Sequence, residues 1–200
     1  MKNFTLIISL LFITEISFSQ PFEGGFFAGM TASQVDGDTY GGFNKIGLSA
    51  GGYITKEINR NSNWKAELRY IQKGAYSKPS DENPNLYKLT IHYVEIPLMY
   101  QYKIHPMLLI DAGISPDIYL FHKEEDQYGE MDQEYRPPYH HFGLNGNIGI
   151  YYTMTENIMA GLRSSYNLIP MRDHASSQTY LLNRGQYNNV ISFTIYYHFK

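Results

Sequence analysis

Lys65, Glu67 and Arg69 stand two residues apart in the run Trp64-Lys65-Ala66-Glu67-Leu68-Arg69-Tyr70. In an extended chain that spacing puts three charges on one face and Trp64, Ala66, Leu68 and Tyr70 on the other. Lys73 continues the charged face. Glu95, Asp111, Asp117 and Arg163 occupy the polar parity of other alternating stretches. Carboxylates buried beside bases can relay protons or act as general acids. Charges of both signs in a confined interior can also neutralise one another, because a lone buried charge is costly. Lys65, Arg69, Lys73 and Arg163 face Glu67, Glu95, Asp111 and Asp117, with Glu23 near a strand end. That near balance favours a salt-bridged plug over a proton path. Glu67 or Glu95 with Arg163 is the pairing expected at its centre.

Other chemistry finds little support. The chain has no cysteine, so it has no thiolate nucleophile, disulfide or thiolate metal site. His174-Ala175-Ser176 beside Asp173 carries the residue types of a hydrolytic triad. It falls in a polar connection with nothing to hold such geometry, and no Gly-x-Ser-x-Gly elbow occurs. His122, Glu124, Glu125 and Asp126, with His140-His141 beyond them, could ligate a metal or form a solvated acidic loop. Loop ligands need not converge, so the solvated loop is the expectation. Asp36-Gly37-Asp38 lacks the remaining ligands of a calcium loop and reads as a turn. There is no phosphate loop or dinucleotide fingerprint. No cofactor, no metal and no enzymatic activity are expected.

The charged positions belong to alternating segments, not helices. The 200 residues carry 16% aromatic and 18% charged side chains, with a net charge of −3. Such a balance argues against a nucleic-acid partner. Eight strands are predicted, at Phe22–Ala32, Phe43–Thr55, Trp64–Ser77, Tyr87–Tyr102, Met107–Phe121, His140–Thr153, Asn157–Leu168 and Asn188–Phe199. Their connections alternate between short and long, the longest being His122–Tyr139 and Ile169–Tyr187. Short turns at one end and long loops at the other fit a membrane barrel. Ahead of the strands, a positive start, an apolar run from Phe4 to Ile13 and Ser17-Phe18-Ser19 predict a signal peptide at residues 1–19. Residues 20–200 then form one barrel domain.

Side-chain size sets the expected direction of the faces. The polar parity carries small residues such as Gly47, Ser49, Gly51, Gly113, Gly149 and Gly161. An eight-stranded barrel has a narrow interior, where small residues belong. The bulky apolar parity then faces lipid. Tyr53, Tyr70, Tyr102, Tyr152 and Tyr166, near strand ends, are expected to form an interfacial girdle. Pro97 and Pro116 interrupt strands and donate no ladder bond, so a bulge is expected at Pro97.

Four stretches together carry a family resemblance: Tyr70-Ile71-Gln72-Lys73-Gly74-Ala75, Tyr93-Val94-Glu95-Ile96-Pro97-Leu98, Asp111-Ala112-Gly113 and Gly161-Leu162-Arg163-Ser164-Ser165-Tyr166. In this order they resemble the porin-like outer-membrane β-barrel family, over nearly the whole barrel domain. The resemblance implies an all-β, eight-stranded antiparallel up-and-down transmembrane barrel in the outer membrane of a diderm bacterium. Some members of that family are associated with secretion and gliding machinery. The chain departs from the usual pattern in that Phe199 is followed by Lys200.

The combined reading is a non-enzymatic outer-membrane barrel with a charge-plugged lumen. Outer-membrane lipid is its surrounding. Long surface loops, through Tyr128, Tyr135, Tyr139, Tyr180 and Tyr187, are the expected surface for a protein partner. The alternatives are a small-solute porin, a membrane-embedded lipid A hydrolase and a secreted lipocalin-like binder.

Overall fold

Residues 22–38, 41–79, 85–132, 136–173 and 185–199 are described by a computed structural model. The signal segment, Tyr135, Tyr180, His174-Ala175-Ser176 and Lys200 lie outside these residues. The strands are β1 (Glu23–Asp36), β2 (Lys45–Asn59), β3 (Ser62–Ser77), β4 (Tyr87–Glu95), β5 (Leu98–His105), β6 (Leu108–Asp126), β7 (Gly129–Glu130), β8 (Phe142–Thr153), β9 (Ile158–Asn167) and β10 (Tyr187–His198). Every pairing is antiparallel. Around the ring, β1 pairs with β2, β2 with β3, and β3 with both β4 and β5. Those two pair with β6, which pairs with β8, then β9, then β10, and β10 returns to β1. β4 and β5 together make one barrel strand, and β7 only hairpins onto the end of β6. Eight strands therefore close the barrel.

Alternation explains both the strands and the way they face. Along β10, Ile191, Phe193, Ile195 and Tyr197 are exposed, while Ser192, Thr194 and Tyr196 are buried. On β3, Leu68 is 61% exposed and its neighbour Arg69 only 1%. A water-soluble barrel would reverse this. A belt that includes Phe26, Met30, Leu48, Ile114, Ile148 and Phe193 faces outward instead. That belt matches a hydrocarbon surround, and the closed ladder meets the demand that backbone polar groups be satisfied within it. No described helix is long and apolar enough to cross a membrane.

β6 runs to Asp126, five residues past the expected end at Phe121 and into the expected connection His122–Tyr139, and three further details differ from the expected strands. First, the chain breaks between β4 and β5 at Ile96-Pro97 without losing its neighbours. Ile96 N donates to Pro116 O at 2.9 Å, and Glu67 N donates to Pro97 O at 3.0 Å. Second, the register shifts fall elsewhere, one of them opposite His92 and Tyr93, where Leu120 is the extra residue in β6. Third, β2 and β3 run down to a turn at Arg60-Asn61, shorter than the predicted Lys56–Asn63 connection.

The short turns lie at the end of the barrel that holds Glu23 and His198. The strand ends that flank the connections 37–44, 78–86, 127–141 and 168–186 lie at the other. In an outer-membrane barrel these are the periplasmic and extracellular ends.

Candidate functional site in the barrel lumen

The alternation that builds the wall also points the eight charged residues inward, and all eight are buried. They form two groups. In the lower group, Glu67 is bonded from three directions. Arg163 reaches it with Nη1 on Oε2 at 2.9 Å and Nη2 on Oε1 at 2.8 Å. Arg69 Nη2 donates to Oε2 at 2.9 Å, and Lys65 Nζ lies 3.1 Å from Oε1. Lys65 also lies 3.0 Å from Asp111 Oδ2, and Arg163 3.4 Å from the same oxygen. In the upper group, Lys73 Nζ lies 2.5 Å from Glu95 and 3.5 Å from Asp117. Arg163 thus pairs with Glu67 and not Glu95. With all side chains ionised, the lower group holds one more cation than anions and the upper one more anion. The two meet at Arg69 and Glu95, which are register partners across β3 and β4.

Neutral partners complete the arrangement. Tyr151 OH accepts from Arg163 Nε at 3.1 Å and from Nη2 at 2.7 Å. Tyr196 OH accepts from Arg69 Nη2 at 3.0 Å and donates to Glu67 Oε1 at 3.3 Å. Asn145 Nδ2 donates to Asp117 Oδ2 at 2.8 Å, while its Oδ1 accepts from Lys73 at 3.2 Å. The Lys65 ammonium sits 4.2 Å from the Tyr151 ring centre, and the Arg69 guanidinium 4.8 Å from that of Phe27. Inward glycines make room for these groups. A Cβ on Gly161 would stand 2.5 Å from two ring atoms of Tyr151. One on Gly51 would stand 2.8 Å from the Phe27 ring, and one on Gly149 2.6 Å from Asp111 Oδ1.

Tyr53 corrects the expected girdle. It shares parity with Gly51, so it faces the lumen, packs edge-on to Tyr196 and bonds His198 Nδ1 at 3.2 Å. Tyr70, Tyr102, Tyr152 and Tyr166 do face outward. Beneath Lys65 and Tyr196 a cavity of about 800 Å³ opens toward the short-turn end, and its rim includes Glu23, Lys103 and Glu156.

A polar cap sits toward the long-loop end, where solvated side chains are expected. Glu124 is 1% exposed. Arg172 spans both its oxygens at 3.3 Å, Tyr87 OH donates to Oε1 at 2.5 Å, and Arg136 pairs with it as well. The expected solvated acidic loop is therefore wrong at this residue. The extra Leu120 shifts parity by one, which turns Glu124 inward and leaves Lys123 and Glu125 outside. Burial pushes the Glu124 carboxyl up, but Arg172, Tyr87 and Arg136 outweigh it and hold it below the usual carboxylate range. Below this cap lies an apolar layer with Val35, Ile71, Leu89, Ile91 and Val190. Tyr139 joins that layer, 4.6 Å under the Arg172 guanidinium, so it is not free to meet a partner. Tyr187 stacks on Tyr166, and Tyr128 is fully exposed. The histidines do not converge: His122 bonds Tyr119 OH at 2.6 Å and His140 meets Pro170 O at 3.0 Å. Among the described residues, no three His, Asp or Glu side chains are placed to hold a metal ion.

A closed eight-stranded ring, apolar outside and charged within, defines an integral membrane β-barrel. Residues 17–173 match the model of the outer membrane protein beta-barrel domain family, and the chain belongs to that family. Its place is the outer membrane. Among solved structures it is similar to Neisserial surface protein A, at 12% identity over 89% of this chain and 97% of that one, with a TM-score of 0.52. It is similar also to Ail of Yersinia pestis in a bilayer nanodisc, at 12% identity over 90% of this chain and all of that one, with a TM-score of 0.50. At such identities the likeness concerns fold alone. No curated protein matches the chain.

Proposed function

We propose that this protein is a non-enzymatic outer-membrane barrel whose lumen is sealed by its own charges. The barrel is a rigid support for its extracellular connections, which serve recognition. The observation that carries this reading is Glu67, fully enclosed and held by Arg163, Arg69 and Lys65 in the middle of the bore. Three long side chains converging on one carboxylate fill a cross-section only wide enough for side chains. The apolar layer and the Glu124 cap add two further barriers above it. The lower cavity is then a blind vestibule.

The same network argues against hydrolysis. Glu67 has its oxygens occupied by cations and Tyr196, so it offers no free base, and among the described residues no serine or histidine is bonded to Glu67. Recognition falls to the loops by elimination and by the exposed Tyr128 side chain. The signal peptide at residues 1–19 belongs to this proposal as the means of export.

Single-channel recording on the purified, refolded barrel tests the seal. The expected record shows no stepwise conductance. Regular steps that scale with protein would favour a small-solute porin instead. A lipid A mass shift on overexpression would contradict the non-enzymatic reading.

A further inference from the structure

The cavity of about 800 Å³ at the short-turn end carries an unbonded donor in its wall. Gln101 on β5 is 2% exposed, lines the cavity and has no hydrogen-bond partner for its Nε2. A buried donor left in this state has lost water and gained nothing in return. Its neighbours do not take it up. Asp111, its register partner on β6, lies with Oδ2 against Lys65. The other oxygen, Oδ1, is turned toward Gly149 of β8, where an added Cβ would stand 2.6 Å away. Asn63, the register partner of Gln101 on β3, lines the cavity beside it. Alternation sets Lys103 on the face of Gln101, one step nearer the mouth, and among the described residues it forms no ion pair.

Charge is graded along this cavity. At its floor, Lys65 belongs with Arg69, Arg163, Glu67 and Asp111 to a group of three cations and two anions. Its side chain is fully enclosed, so it acts through its field and not by contact. The carboxylates Glu23 and Glu156 stand at the mouth. Glu23 is solvated there and lies 3.5 Å from His198 Nε2. Water and salt screen exposed charges far more than enclosed ones, so the inner part of the cavity keeps a positive potential. The lining also includes Leu109 and Met159, and the ring of Tyr53, whose OH is taken by His198. Apolar walls with a few convergent polar groups suit a small molecule. A free donor requires an acceptor, and the positive potential favours a negative one.

We propose that the periplasmic vestibule binds a small organic carboxylate. Its carboxylate accepts from Gln101 Nε2 and from Lys103, and its apolar body packs against Leu109, Met159 and Tyr53. The site lies below the Glu67 cluster and depends on neither the seal nor the loops.

Fluorine NMR on the full barrel in phosphatidylcholine nanodiscs tests this, with empty nanodiscs as the blank. The probes are para-fluorophenylacetate and two analogues with the same ring, the alcohol para-fluorophenylethanol and the amine para-fluorophenethylamine. Saturable binding of the carboxylate is expected, about tenfold tighter than either analogue. Gln101→Leu should weaken it about tenfold while the barrel's thermal unfolding stays at or above that of wild type, because an unbonded buried amide has been removed. A merely structural Gln101 would move the second readout and not the first. Lys103→Gln, at an exposed position, provides an independent arm and should weaken binding by a similar factor. Lys88→Gln, at the opposite end of the barrel, should change nothing. No saturable binding of the carboxylate, equal affinity for the alcohol or the amine, or unchanged affinity in both Gln101→Leu and Lys103→Gln would overturn the proposal.

Discussion

Arg163 on β9 and Glu67 on β3 meet across the bore of the barrel in a two-point fork, at 2.9 and 2.8 Å. They lie 96 residues apart in sequence, on strands that do not pair. The fork therefore ties opposite walls together through the lumen. It is a geometry that lysine cannot reproduce, because only guanidinium presents two parallel donors.

Removing one end of such a buried pair leaves the other charge poorly compensated. Arg163→Ala is expected to destabilise the barrel by about 3–5 kcal/mol. Arg163→Lys should recover part of that loss by keeping charge without the fork. The urea midpoint of unfolding in lipid vesicles reads both. Equal midpoints for wild type and Arg163→Ala would mean that the fork contributes nothing.

The inward glycines give a second expectation. In Gly161→Ala the new Cβ would press on the Tyr151 ring, which Arg163 and Lys65 hold in place. Overpacking of this kind costs about 1–3 kcal/mol. Gly146→Ala is the control, because its nearest neighbour would stand at an ordinary 3.4 Å from Leu168. The temperature at which the folded gel band converts to the unfolded one should fall for the first variant and stay near wild type for the second. The reverse order would show that the lumen has slack at Tyr151.

Acid should loosen the cap. The Glu124 carboxyl is held below its ordinary value of 4.5 in the folded protein by Arg172, Tyr87 and Arg136, against its own burial. A group depressed in this way contributes stability above its unfolded pKa and loses it as pH falls through the folded one. Wild type should therefore exceed Glu124→Gln in unfolding midpoint by a constant margin from pH 7 down to about 5. The margin should shrink below pH 4.5. A margin that is flat across this range, or that grows with acid, would remove Glu124 from the cap's stability.

How much of this was legible in the sequence follows from parity. Strict alternation in Trp64–Tyr70 and Ile191–Phe199 fixes which side chains face in, and the small-residue parity fixes which face is the lumen. That is enough to gather the eight charges in one bore. It also sets Tyr53 with Gly51, although tyrosine's affinity for membrane interfaces pointed the other way. Parity holds only until a residue is inserted. Leu120 is one such insertion, and no residue type in Tyr119-Leu120-Phe121 announces it. An expected strand end at Phe121 also puts Glu124 in a connection, whereas β6 runs on to Asp126. Partner choice was equally hidden, since Arg163 choosing Glu67 over Glu95 depends on the stagger of strands around the ring.

The central claim is that the lumen is sealed. Stopped-flow uptake of a small sugar into proteoliposomes with counted barrels per vesicle tests it most directly. The account predicts uptake equal to that of protein-free vesicles at every protein density. Uptake that rises in proportion to the number of folded barrels would contradict it.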